Sequence, residues 1–124
     1  MNTFNEIIGL LKASERIVIL TGAGISTESG LPDFRSNNGF WTKNKPIQFN
    51  EFMLSEEKQR LSWERNIELH LLLRKIKPNI GHAFVEKIIS MQKNNFLITQ
   101  NIDGLHQKSG VPKSKIIEIH GSAM

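Results

Sequence analysis

Short apolar runs alternate with longer amphipathic stretches along this chain. Near the start, Phe4, Ile7, Ile8 and Leu11 recur at i, i+3, i+4 and i+7. That spacing gathers them on one side of a helix and predicts one from about Thr3 to Lys12. Arg16-Ile17-Val18-Ile19-Leu20 then breaks the period. Its β-branched residues follow one another without alternation, as in a strand covered on both faces within a parallel sheet. Phe96-Leu97-Ile98-Thr99 repeats the pattern, and Ile116-Ile117-Glu118-Ile119 repeats it with one polar interruption.

Between the runs lie loops and helices. Leu31 to Asn50 carries Pro32, Gly39 and Pro46 among polar residues and reads as a loop. Ser55 to about Ile76 reads as a helix, with Ser55 as its cap and Glu56 and Glu57 at its positive end. Pro78-Asn79 closes that element, and Asn79 or Gly81 opens the next, through about Gln92. Ile102 to Lys108 reads as a short helix closed by Gly110 and Pro112. Helix, strand, helices, strand, helix, strand is the alternation of an α/β protein with a parallel sheet. Three strands with helices make up about half of a doubly wound domain.

Composition narrows the class. The chain has 124 residues, 39% hydrophobic and 23% charged, which places it among ordinary globular domains. No apolar run approaches the ~18 residues of a membrane span. The start, MNTFNEIIGLLKAS, lacks the basic segment and cleavage site of a signal peptide. Zero cysteines exclude disulfides and thiolate metal sites within these residues and fit a cytoplasmic protein. The formal charge of +4 and pI near 9.6 permit contact with polyanions. The basic residues are nevertheless interleaved with acids, so they read as a solvated surface, and no specific nucleic-acid or membrane partner is expected.

All three runs end in polar residues: Thr21-Gly22-Ala23-Gly24-Ile25-Ser26, Gln100-Asn101-Ile102-Asp103 and His120-Gly121-Ser122. Open α/β sheets bind ligands beyond the carboxyl ends of their strands, so three such endings on one rim suggest a site. Gly22 and Gly24 let amide groups and a positive helix end approach a phosphate, although a tight turn without a ligand would use the same glycines. Thr27 breaks the dinucleotide fingerprint G-x-G-x-x-G, and Pro32-Asp33-Phe34-Arg35 follows in place of a strand with an acidic ribose-binding residue. Both features disfavour a hydride-transferring dehydrogenase, and the lack of Gly-Lys-Ser/Thr excludes a Walker loop.

The other polar positions each have two readings. Phe34 offers a flat face or a lid and Arg35 a multi-donor cation, with a core Phe and a surface Arg as the plain alternative. Gln100, Asn101 and Asp103 suit sugar hydroxyls and a carboxamide, while a helix cap is the structural alternative for Asn101 and Asp103. His120 can act as a general base near neutral pH. His70, His82 and His106 read as structural, and no two histidines have the spacing of a zinc pair on a convincing scaffold. The residues by themselves support an α/β nucleotide-binding half-domain with a candidate acid–base histidine.

GAGIS…SGLPDFR, TQNIDGLH and IEIHGS, in that order and with PNIGHAF ahead of the second, closely resemble the sirtuin family of NAD-dependent protein deacylases. The likeness runs from Arg16 to Ser122. It implies a Rossmann-like parallel-sheet domain over residues 1–124 that holds NAD as co-substrate. By motif, Ala23, Gly24 and Ser26 approach the pyrophosphate together with Gly22. Arg35 lies near the phosphates, Phe34 covers the nicotinamide ribose, and Asp33 of the same motif is counted with them. Asn101, Ile102 and Asp103 form the nicotinamide pocket, Gln100 meets the ribose, and His120 is the base, with Asn101 as its catalytic companion.

The implied reaction passes the acyl group of a protein lysine to ADP-ribose and releases nicotinamide. NAD hydrolysis or ADP-ribosyl transfer on the same scaffold is the alternative. The family pattern continues after His-Gly-Ser into a four-cysteine zinc module and closing strands, neither of which these residues contain. The resemblance therefore implies the amino-terminal half of the fold, a truncated chain inert by itself, and zinc only in full-length members. The absence of Tyr removes the Tyr-x-x-Arg pair of members that take acidic acyl groups and favours simple ones.

Overall fold

The computed structural model describes residues 2–33, 35–37, 39 and 43–124, and Phe34 lies outside them. The three apolar runs form the strands β1 (Val18–Thr21), β2 (Phe96–Thr99) and β3 (Ile116–Glu118). They pair in parallel in the order β1-β2-β3, with Leu20 beside Ile98 and Ile98 beside Ile117. Because side chains alternate along a strand, this register sorts the residues into two faces. Ile19, Leu97 and Ile116 share one face, and Leu20, Ile98 and Ile117 the other.

The first face is covered. Leu97 is fully buried against Val85, Ile89 and Val111, with Ile19, Ile25 and Ile116 packed around them. The second face is largely bare, with Val18, Leu20, Phe96, Ile117 and Ile119 all exposed.

Helix α1 (Thr3–Ala13) follows the predicted periodicity and is capped by the Asn2 side chain, but no residue of it is buried. The expected loop ends earlier than its composition suggests, because α2 (Phe49–Leu54) starts inside it behind a Gln48–Glu51 capping box. Helix α3 (Glu56–Lys75) starts at the predicted Ser55 cap, whose hydroxyl accepts from the Lys58 amide. Helix α4 (Ile80–Met91) starts at Asn79 and buries His82, Val85, Ile88 and Ile89.

The helix expected after the glycine turn is of the 3₁₀ type, Ala23–Ser29, closed by Gly30 in the left-handed region at φ 98°, and one local prediction is corrected. The short helix expected from Ile102 is α5 (Leu105–Lys108), because left-handed Gly104, φ 69°, delays its start. A 3₁₀ turn, Lys113–Lys115, leads into β3.

Candidate functional site

The strand tips meet on one rim. The Gln100 amide donates to the Thr21 carbonyl (3.0 Å), and the Ile119 amide to the Thr99 carbonyl (3.1 Å), extending both pairings past the strand ends. Gly22, Asn101 and His120 therefore follow neighbouring, parallel strands at the same end of the sheet. Asn101 fastens two tips together: its side-chain amide donates to the Gly22 carbonyl at 3.0 Å and lies 3.5 Å from Ser26 Oγ.

Neither glycine of the turn is required by backbone geometry. Gly22 is extended (φ −135°, ψ −171°), and Gly24 lies outside the left-handed region. A methyl group on Gly22 would meet only Gln100 Nε2, at 3.9 Å, and one on Gly24 would meet nothing within 4 Å. What these glycines provide is open space above the strand tip. The first ladder bond of the 3₁₀ segment runs from the Ile25 amide to the Gly22 carbonyl (3.2 Å), so the amides of Ala23 and Gly24 precede the ladder.

Beneath that surface lies a buried polar network. Ser26, which is 1% exposed, donates its hydroxyl proton to Asp103 Oδ2 at 2.6 Å. Its oxygen also lies 3.3 Å from His82 Nε2. His82 Nδ1 accepts from the Asn79 amide at 3.2 Å, so the proton of the neutral ring sits on Nε2 and points at Ser26. Asp103 Oδ1 accepts from the Leu105 amide at 2.9 Å in an Asx turn just ahead of α5, whose N-cap is Gly104, so Asp103 is not the helix cap the sequence allowed.

Asn79 ties α4 to the turn. Its side-chain amide donates to the Ile25 carbonyl (2.7 Å) and to Ser29 Oγ (3.0 Å). The approach is close: a methyl group on Gly81 would come within 3.1 Å of Ile25 Cγ1.

A second branch runs through His106, which is 1% exposed. Thr21 Oγ1 donates to Thr99 Oγ1 at 2.9 Å and lies 2.9 Å from His106 Nε2. The His82 and His106 rings meet edge to face with centroids 5.0 Å apart. Burial lowers the pKa of both histidines, against the opposing pull of Asp103; for His106 the neighbouring His82 adds to the lowering, to about 4.

The remaining sequence candidates sit further out. Gln100, Arg35 and His120 are exposed, the last in the turn after β3. Ile102 is half-buried, and its carbonyl accepts from the Ala123 amide at 2.9 Å. Asp33 closes a local turn by accepting from the amide and hydroxyl of Ser36 (3.1 and 2.6 Å). It also lines an open cleft of about 430 Å³ together with Thr27, Gly30, Leu31, Pro32 and Lys43. Sequence reasoning set His82 and His106 apart from the site, yet they form its buried floor. For His82 a signal existed, since an Asn-x-x-His start can make a reciprocal cap. Among the described residues no three His, Cys, Asp or Glu side chains converge to hold a metal ion, and no helix is long and apolar enough to cross a membrane.

Comparison with known proteins bears on the family and the fold. A family model described as the Sir2 family matches residues 22–124. An NAD-dependent protein deacetylase of Rhodopseudomonas palustris is 41% identical over 113 residues, 91% of this chain and 45% of its own. An NAD-dependent protein deacylase of Aquifex aeolicus is 44% identical over 106 residues, 86% of this chain and 44% of its own. A Sir2 structure holding a deacetylated p53 peptide and 3′-O-acetyl ADP-ribose superposes with a TM-score of 0.80 at 36% identity, covering 97% of this chain and 48% of that one. The chain thus spans less than half the length of the relatives it matches. With a family model matched from the glycine turn to the last residue, and a fold shared with solved Sir2 proteins, the chain belongs to the Sir2 family.

Proposed function

We propose that residues 1–124 are part of one Rossmann-like NAD-binding domain of a sirtuin-type protein lysine deacylase. The observation that carries this reading is the 3.0 Å bond from Asn101 Nδ2 to the Gly22 carbonyl. It joins the polar tip of one strand to the glycine turn of its neighbour, on the rim where open α/β sheets take ligands. The relatives' names and the acetylated ADP-ribose in a matching Sir2 structure support it.

The residues present fit a dinucleotide. Gly22 and Gly24 leave room that the backbone does not require, and the Ala23 and Gly24 amides face no ladder partner ahead of Ile25, which suits a pyrophosphate. Arg35 adds an exposed cation, and Gln100 offers both donor and acceptor to ribose hydroxyls. When bound, NAD supplies a ribose carbon whose nicotinamide departs as a neutral ring, and an acylated protein lysine is the second substrate we infer. Asn101, Ile102 and Asp103 wall the ring. The Ser26–Asp103 and Asn101–Gly22 bonds keep that wall from yielding to water. His120, exposed at the rim, takes a proton from a ribose hydroxyl as general base. A cytoplasmic location is inferred with the same reading, supported by the cysteine-free sequence.

NMR titration of the chain with ADP-ribose tests the site. Shifts should gather on Gly22–Ser26, Gln100–Asp103 and His120–Gly121, with weak affinity. Gly24→Leu should silence them while leaving the melt unchanged, and His120→Ala should keep them. Shifts scattered elsewhere, or none, would overturn the reading. Nicotinamide release by the chain alone should be negligible with acetyl-lysine peptide; rapid release without peptide would instead favour NAD hydrolysis or ADP-ribosyl transfer.

A further inference from the structure

We propose that His106 is a positioning residue for Asn101, acting through the hydroxyls of Thr21 and Thr99. The inference rests on the rim being a ligand site, because it concerns how Asn101 is held there.

A buried imidazole is a poor space filler. Nδ1 of His106 is buried without a hydrogen-bond partner among the described residues, a desolvation cost that Leu or Phe would not incur. The useful atom is the other nitrogen. Thr21 Oγ1 has one proton and gives it to Thr99 Oγ1, so it can only accept from His106, and Nε2 carries the hydrogen. Thr99 Oγ1, oriented by that donation, accepts the backbone amide of Asn101 at 3.1 Å. The relay runs from α5 across β1 to the tip of β2: His106 to Thr21, Thr21 to Thr99, and Asn101 to Thr99.

Asn101 is thereby held at both ends. Its backbone belongs to this relay, and its side chain to Gly22 and Ser26. The ring of His82, 5.0 Å away at an interplanar angle of 61°, fixes the tilt of His106 and links the two branches. Loss of the His106 proton donor frees the Thr21 hydroxyl to turn away from Thr99, and the Asn101 amide loses a fixed acceptor.

Amide hydrogen exchange of Asn101 in the ligand-free chain tests this, using His106→Ala, His106→Gln, Thr21→Val and the His106→Ala/Thr21→Val pair. Gln is chosen because its amide can place an N–H where Nε2 stands. His106→Ala should speed Asn101 exchange by about tenfold or more, the loss expected for one hydrogen bond, and His106→Gln should restore it to within about threefold of wild type. Thr21→Val should reproduce His106→Ala, and the double variant should add nothing to either single change. Unchanged exchange in His106→Ala, a Gln variant no better than Ala, or additive effects in the pair would each overturn the proposal. If His106→Ala does not fold, the shape-preserving Thr21→Val decides, and unchanged Asn101 exchange there refutes the relay. ADP-ribose titration separates the two readings. A wild-type chain that ignores ADP-ribose refutes the dinucleotide site, while the exchange data still rule on His106.

Discussion

Ser26 and Asp103, 77 residues apart in the chain, share a buried hydrogen bond of 2.6 Å that locks the glycine turn to the tip of β2. The Ser26 oxygen also faces His82 Nε2 and Asn101 Nδ2, so a single hydroxyl meets three groups on two other segments. Removing it strands a carboxylate oxygen and an imidazole N–H in the interior. Ser26→Ala should therefore cost about 1–3 kcal/mol of folding stability, the penalty of leaving buried polar groups unsatisfied. Urea denaturation checks this, with exposed Thr27→Ala as a control expected to stay within about 0.5 kcal/mol of wild type.

Acid should loosen the same floor. His82 and His106 are held below their ordinary pKa, chiefly by burial, and His106 falls from 6.5 to about 4. The folded chain keeps these rings neutral at a pH where the unfolded chain already binds protons. Stability is thus complete above about pH 6.5 and declines as pH falls, with a slope of at most about 1.4 kcal/mol per pH unit from His106 and a contribution of the same sign from His82. For His106 the decline ends near pH 4, where the folded ring itself protonates. Denaturation at pH 7 and pH 5 measures the difference, and His106→Gln should flatten it; an unchanged pH slope in that variant would assign the effect elsewhere.

These relationships show which parts of the molecule are legible in the sequence. The strands were readable because unbroken β-branched runs have few other uses, and the three polar endings pointed to one rim because parallel strands end together. Capping chemistry located the starts of α3 and α4 at Ser55 and Asn79. The partners of the buried histidines were not legible: His106 meets Thr21 across 85 residues and His82 meets Ser26 across 56, and periodicity reports burial without naming a neighbour. The 3₁₀ form of the glycine turn was equally hidden, since the same residues suit an α-helical first turn until Asn79 clamps the Ile25 carbonyl. The loop prediction missed α2 because its capping pair, Gln48 and Glu51, is an unusual variant of the Ser/Thr signal.

Two glycines should respond oppositely to alanine. Gly104 sits at φ 69°, and a methyl group there would lie 3.0 Å from Met124 Cγ. Gly104→Ala should cost about 1–3 kcal/mol through backbone strain alone and displace the start of α5. Gly9 lies inside α1 with nothing within 4 Å of an added methyl. Gly9→Ala should stabilise α1 by about 0.5–1 kcal/mol by reducing the freedom of the unfolded chain. Thermal melts of the two variants against wild type give both signs in one experiment.

The bare face of the sheet predicts how the isolated chain behaves. Parallel sheets are ordinarily covered on both faces. Here Leu20 is 64% exposed and Ile117 52%, in one register row through half-buried Ile98, with Val18, Phe96 and Ile119 exposed on the same face. Three strands about 4.8 Å apart and three or four residues long span at most roughly 14 by 13 Å, far below the ~800 Å² per partner of a stable specific dimer. Association through this face should therefore be weak, concentration-dependent and open-ended, with the edge of β1, unpaired among the described residues, available to prolong it. Leu20→Lys combined with Ile117→Lys should abolish it. Because both side chains are already exposed, the double substitution should change folding stability little. Sedimentation velocity over a concentration series measures the first effect and urea denaturation the second. A wild-type chain that stays monomeric throughout, or a double variant that associates as wild type does, would show that the sheet face is not the adhesive surface.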